Sequence, residues 1–255
     1  MKVLILCGGE GTRAYPYTKH VPKALMPVAG VPILEQVMRI YAAHGFTEFV
    51  LALGYMKEEI ERYAESRGDA YSIECIDTGR STDTGGRVRQ CLGHLGERFH
   101  CTYVDGLGDV DVSALSAFHG AEGSIASLTA APLRSQYGIV KYDDRDRIVE
   151  FVEKPTLPEH WINAGFFVFD REAIADTPGE NLERDILPRL AARRLLRIYR
   201  HPGFWRSMDT YKDHQELDGL WRPFADDLDV RVPGGPPAVP GWLVERQELA
   251  RAGIA

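Results

Sequence analysis

The chain is poor in cysteine: four occur in 255 residues, at positions 7, 75, 91 and 101, with no C-x-x-C pair. That excludes a disulfide scaffold and the common paired-cysteine metal sites. Three of the four stand in apolar strand-like or helical patterns, where cysteine acts as a small buried hydrophobe. Long apolar runs are missing too. The N-terminal MKVLILCGG falls well short of the ~18 residues of a membrane span, and its glycines arrive too early for a signal peptide. The expectation is a cytoplasmic protein that meets no membrane. Positive charge is in deficit, with 30 Lys and Arg against 37 Asp and Glu and a formal charge of −7. Such a balance argues against coating nucleic acid but leaves room for a local anion pocket. His20, His94, His119 and His201 show no tight ligand spacing, which argues against a structural zinc site. There is no internal repeat or low-complexity tract. An apolar content of 44% rules out disorder throughout, and the length allows one large domain or two small ones.

What is present alternates. The all-apolar KVLILC (2–7) ends at Gly8-Gly9 and reads as a central strand covered on both faces. A helix over 32–44 follows, with Pro32 at its start and Gly45 past its end. Strands at 49–53, 71–76 and 99–104 then alternate with helices at 56–66 and 85–95. This is the pattern of stacked βαβ units around a mostly parallel sheet, which binds ligands beyond the carboxyl ends of its strands. The loops 8–23 and 105–109 lie there. Farther on, a helix at 114–120 and a strand at 124–130 precede two short strands within 137–153, an antiparallel insertion on the substrate side. A strand at 163–169, a helix at 181–193, a strand at 195–200 and a helix after Tyr211 complete the body. The Pro/Gly stretch 231–241 suits neither helix nor central strand and leads to a short terminal helix. The expectation is a body over 1–225 and an extension over 226–255 acting as a strap or oligomer contact.

LCGGEGTRAYPYTKHVPKAL (6–25) carries the most chemistry. Glycines let backbone approach a ligand and turn N–H groups toward phosphate oxygens. Arg13 offers a planar fork, and Lys23, ten residues on, a mobile positive charge. The spacing matches neither a P-loop nor a dinucleotide fingerprint. Asp105 ends an apolar strand and Asp209 lies in GFWRSMDT. Two such carboxylates suit one Mg²⁺ shared with substrate phosphates. Asp109 and Asp111 are alternatives to Asp105, and their position before a helix also suits capping.

Taken together, LCGGEGTR…PKAL, TYVDG, FVEKP, WINAGFFVF and GFWRSMDT resemble the sugar-1-phosphate nucleotidyltransferase family. DTGRSTDTGGRVRQ (77–90) resembles the signature of its glucose-1-phosphate cytidylyltransferase branch, and the likeness spans residues 1–221. The resemblance implies a single α/β, Rossmann-like domain of the glycosyltransferase-A type, with a mostly parallel central sheet, an antiparallel sugar-binding insertion and a short C-terminal extension. It implies that Leu6, Gly8, Gly9, Gly11, Thr12 and Arg13 meet the nucleotide, with Lys23 at the reacting phosphates. Gly85, Gly86 and Arg87 would lie beside the base and ribose-phosphate, and Asp105 and Asp209 would hold Mg²⁺. Tyr137, Gly138, Glu153, Lys154 and Asn163 would line the sugar-phosphate pocket. Arg13, Lys23, Asp105 and Asp209 would form the catalytic set. The implied partners are a nucleoside triphosphate, a sugar 1-phosphate and further copies of the chain. The branch usually has LAGG, PKPM and a glycine before the metal Asp, where this chain has Cys7, Ala24-Leu25 and Val104. Those departures admit another nucleotide (dTTP, UTP, ATP or GTP) with a modified sugar or cyclitol phosphate. A metal-dependent glycosyltransferase and a non-catalytic nucleotide or sugar-phosphate sensor are the readings from other classes.

Overall fold

Apolar runs become strands and amphipathic runs become helices in a computed structural model that describes residues 1–68, 70–121, 123–232 and 239–253, apart from the side chains of Pro158 and Val230. The first half comprises β1 (Val3–Leu6), the short pair β2 (Pro27–Val28) and β3 (Val31–Pro32), α1 (Ile33–Ala42), β4 (Glu48–Leu53), α2 (Lys57–Glu65), β5 (Ser72–Asp77), α3 (Thr84–Cys91), β6 (Arg98–Tyr103), β7 (Gly106–Gly108) and α4 (Val112–Gly120). Then come β8 (Ala126–Arg134), the hairpin β9 (Ile139–Tyr142) and β10 (Ile148–Val152), β11 (Thr156–Asp170), α5 (Arg171–Ala175), α6 (Leu187–Ala192), β12 (Leu196–Arg200), β13 (Trp205–Ser207), α7 (Tyr211–Arg231) and α8 (Gly241–Ala252).

Seven strands form the central sheet in the order β12-β8-β11-β6-β1-β4-β5. β11 runs antiparallel to both of its neighbours, and every other pairing in that sheet is parallel. Alternation along each strand feeds two apolar layers. Val3 and Ile5 pack on the side of α1, α2 and α7, whereas Leu4 and Leu6 pack on the side of α3, α5 and α6. Each fully buried Leu, Ile or Phe in these layers contributes about 1.5–3 kcal/mol. All four cysteines are free; burial pushes the Cys7 and Cys101 thiols well up and that of Cys91 up to about 12.

Caps set the ends that matter for the site. The Asp83 carboxylate accepts from Thr84 N at 2.8 Å to start α3, and Asp111 accepts from Ala114 N at 2.8 Å to start α4. Thr210 and Asp213 form a reciprocal capping box that fixes the first turn of α7 directly after Asp209. In place of one helix over 181–193, a wider π-type turn at Leu182–Ile186 runs into α6. The first strand after the hairpin is also longer than the expected 163–169, because β11 also pairs with β8 at Thr156, Leu157, Trp161 and Ile162.

α7 runs through residue 225, so the expected boundary between body and extension falls inside a helix that tolerates Pro223. Residues 233–238 of the Pro/Gly stretch lie outside the described residues. α8 returns to the body. Its Gln247 donates to Leu25 O at 3.0 Å, and Arg246 pairs with Glu59 at 2.7 Å.

Candidate active site

The loop after β1 owes its course to two glycines. A Cβ on Gly8 would sit 2.0 Å from the Arg87 guanidinium, closer than any side chain allows. Gly11 has φ +63°, and its carbonyl accepts from the Thr18 hydroxyl at 3.1 Å. Short 3₁₀ turns at Thr12–Ala14, Tyr17–Lys19 and Lys23–Leu25 then carry the chain around the cavity, with Pro22 extended just before Lys23.

Asp105 and Asp209 come together through a second, two-stranded sheet. β7 follows Asp105 and pairs antiparallel with β13, which precedes Asp209, and Ser207 lies opposite Gly106. Met208 N donates to Asp105 O at 2.8 Å, and Trp205 Nε1 to Ala164 O at 2.7 Å. Lys23 stands between the carboxylates, 2.6 Å from Asp105 and 3.5 Å from Asp209, with its side chain only 10% exposed. Arg13 reaches Asp209 at 2.8 Å from a far more open position. Two cations and two carboxylates thus balance one another at one spot.

These four residues border a cavity of about 380 Å³ together with Leu6, Gly8, Gly9, Gly11, Thr12 and Arg87. Its remaining wall is Cys7, Arg80, Thr82, Asp83, Thr84, Tyr103 and Val104. The volume and the polar lining suit a nucleotide-sized ligand. Hard oxygen donors from Asp105 and Asp209 fit Mg²⁺, which would neutralise charge on phosphates brought to this end of the cavity. Among the described residues no group of three or more His, Cys, Asp and Glu could hold a metal ion.

Arg87 lines the cavity from beneath. Its guanidinium donates to Leu53 O, Thr78 Oγ1, Gly8 O and Arg80 O at 2.6–3.2 Å, joining the ends of β1 and β4 to the loop after β5. Burial pushes its pKa down. Gly85 and Gly86 do not border the cavity; they let α3 approach Glu180 and Ile186. Asp109 and Asp111 face a second cavity, about 220 Å³, against α1 and α7.

Tyr137, Gly138, Glu153 and Lys154 stand outside the main cavity, at the base of the β9/β10 hairpin. Glu153 and Lys154 approach each other at 3.9 Å, both well exposed. Asn163, on β11, also lies outside the cavity lining; its Oδ1 accepts from Gly165 N at 2.8 Å, and its side chain faces Tyr103 of the cavity wall. Tyr103 also donates to Glu183, which accepts from Thr84 at 2.8 Å. Tyr103 and Glu183 were not expected at the site. Tyr103 stands two residues before Asp105 at the carboxyl edge of β6, which is a legible signal; Glu183 has none.

Asp209→Asn should weaken the dependence of turnover on Mg²⁺, raising the half-saturating concentration by on the order of 10-fold. A metal titration that coincides with that of the unchanged protein would remove Asp209 from the ligand set.

Comparison with known proteins sharpens what this constellation is. A family model described as nucleotidyl transferase matches residues 2–206. A glucose-1-phosphate cytidylyltransferase of Salmonella typhimurium is 35% identical over 248 residues, covering 87% of this chain and 96% of that protein. A UTP–glucose-1-phosphate uridylyltransferase of Synechocystis is 30% identical, over 92% of this chain and 66% of that protein. The crystal structure of HddC from Yersinia pseudotuberculosis, complexed with GMP-PN, shares the fold with a TM-score of 0.67 at 19% identity, over 86% of this chain and 99% of that one.

Proposed function

The chain belongs to the nucleotidyl transferase family as a sugar-1-phosphate nucleotidyltransferase related to glucose-1-phosphate cytidylyltransferases, and from that membership we propose that CTP and glucose 1-phosphate are its substrates. The observation that carries the chemistry is Lys23 set between Asp105 and Asp209 at the mouth of the glycine loop. The cytidylyl preference is supported by Thr82, Asp83 and Thr84, from the signature after β5, standing in the cavity wall.

In the reaction, a phosphate oxygen of the sugar 1-phosphate forms a bond to the α-phosphorus as the bond to the β-phosphate oxygen breaks. Pyrophosphate leaves with that electron pair. The nucleophile is already anionic, so no strong base is required; the barrier lies in aligning two anions and offsetting their repulsion. Mg²⁺ held by Asp105 and Asp209 would supply charge neutralisation across the reacting phosphates. Arg13 stabilises charge on the departing pyrophosphate. Lys23 holds the reacting phosphates, and Lys154 grips the sugar phosphate, with Glu153 accepting from sugar hydroxyls. Backbone N–H groups of Gly8, Gly9 and Gly11 approach the nucleotide phosphates.

A second reading keeps this chemistry with a different nucleotide and a modified sugar or cyclitol phosphate. It is favoured by Cys7 and Val104, two departures from the branch pattern that both border the cavity.

Pyrophosphate release with Mg²⁺ tests these readings when CTP, dTTP, UTP, ATP and GTP are crossed with glucose 1-phosphate and other sugar 1-phosphates. Turnover confined to CTP with glucose 1-phosphate is the expected result. Another productive pair would move the substrate and keep the mechanism. Release of a nucleoside diphosphate would instead indicate glycosyl transfer, and binding without turnover a sensor.

A further inference from the structure

α8 docks behind the loop that carries Lys23, and a polar residue stands in the middle of its buried stripe. Leu243, Gln247 and Ala250 are buried and fall on one face at helical spacing. Leu243 and Ala250 are apolar, as adhesion requires. Gln247 carries an amide. Burying an amide costs free energy unless its polar atoms are matched, and an apolar side chain would have completed the stripe. A lone polar residue in such a seam is a device for fixing register.

Its partner shows what is registered. Gln247 Nε2 donates to Leu25 O at 3.0 Å, across 222 residues of chain. Leu25 closes the 3₁₀ turn Lys23–Leu25, in which Leu25 N donates to Pro22 O at 2.8 Å and Met26 N to Lys23 O at 3.1 Å. The last carbonyls of so short a turn have no partner within it, so its height is set from outside. Arg246, the residue before Gln247, donates to His20 O at 3.3 Å while pairing with Glu59 of α2. Thr18 O accepts from the Tyr55 hydroxyl at 3.2 Å. Side chains from outside the loop thus hold the carbonyls of Thr18, His20 and Leu25, and two of these three bonds come from α8.

The lysine has little room to correct a displaced turn. Its stem passes Gly11, where an added Cβ would come within 3.1 Å of the Lys23 Cβ. Its ammonium is nearly enclosed beside Asp105 and Asp209. Gln247 itself does not border the cavity.

We propose that Gln247 is a positioning residue for Lys23: its amide fixes the Lys23–Leu25 turn so that the ammonium stands between Asp105 and Asp209. α8 then acts on the active site from behind, through one backbone carbonyl. A misplacement of ~1 Å caused far from the chemistry can cost about 10²-fold in rate. The effect on turnover rests on the role proposed for Lys23; the effect on where the ammonium stands does not.

Gln247→Met keeps the length of the side chain and removes the donor. With whichever nucleotide and sugar phosphate turn over, its kcat should fall by roughly 10- to 10²-fold, and KM for either substrate should move by less than about threefold. Leu243→Ala loosens the same helix without touching the donor, and it should lower Tm more while leaving kcat within about threefold. The double variant separates positioning from adhesion. Added to Lys23→Met, Gln247→Met should cost less than about twofold further, because the group it positions is already gone. Losses that multiply, or equal kcat losses in Gln247→Met and Leu243→Ala, overturn the assignment. So does a Gln247→Met kcat within about threefold of the unchanged protein. Circular dichroism checks folding; should Gln247→Met misfold, Gln247→Asn, which withdraws the amide by one methylene, makes the same test. A crystal structure of the variant needs no substrate. Lys23 Nζ should leave its 2.6 Å contact with Asp105, and an unmoved ammonium overturns the proposal. Failure of the CTP and glucose 1-phosphate reading leaves that measurement intact.

Discussion

Lys23→Met should lower kcat for pyrophosphate release by on the order of 10²- to 10³-fold, with little change in Tm. The ammonium is nearly enclosed and lies within 3.5 Å of both Asp105 and Asp209, where the proposed reaction would bring two phosphate-bearing substrates together. A fixed cation in a confined cleft acts on charge as it redistributes and requires no reorganisation at that moment. Stability is another matter. Asp105 and Asp209 are each close to 30% exposed, so water can solvate them when the lysine is gone, and Arg13 still faces Asp209. A large kcat loss in a protein of unchanged Tm is therefore the signature of a catalytic cation. A kcat within threefold of the unchanged protein would remove Lys23 from the chemistry.

Arg87→Met should act in the opposite order, on the fold first and on turnover through it. The substitution removes four donated hydrogen bonds that tie Gly8, Leu53, Thr78 and Arg80 together. Leu53 O keeps its bonds from Thr78, and Gly8 O keeps one from Tyr55 N, so not every acceptor is orphaned. A stability loss of about 3 kcal/mol is expected, read from denaturant unfolding. The released glycine loop should raise KM for the nucleotide by roughly 10-fold. Gly8→Ala supplies the internal check, because its new methyl would strike the guanidinium. In the Arg87→Met background that substitution should cost less than in the unchanged protein. Strict additivity of the two would show that Arg87 does not set the position of the loop.

Arg87 also shows where sequence stops informing. A basic residue after two glycines reads equally well as an anion ligand or as a buried tie. Its partners Leu53 and Gly8 lie 34 and 79 residues away, so nothing local decides between the two. The strands of the sheet were legible because unbroken apolar runs such as Val3–Leu6 must be covered on both faces. β7 and β13 were not, since three residues each, one of them Gly-Leu-Gly, offer no period to read. Yet these two place Asp105 beside Asp209. Both carboxylates were found as residues, and the device that joins them was not. The hairpin was expected at 137–153, but its isolation from the sheet follows from the points at which β12 and β6 stop pairing, which is a property of register and not of composition.

The β7/β13 pairing also puts the carboxylate pair on a schedule. A growing chain completes β1, the glycine loop and β6 early and so owns Arg13, Lys23 and Asp105 well before synthesis ends. The other half arrives only when Trp205–Ser207 emerges and zips onto Gly106–Gly108. Until then a nascent chain, or a fragment clipped ahead of residue 205, carries the phosphate-binding loop with one carboxylate instead of two. On the proposed reaction such a species lacks the second carboxylate, so competence waits on the segment that ends in Asp209.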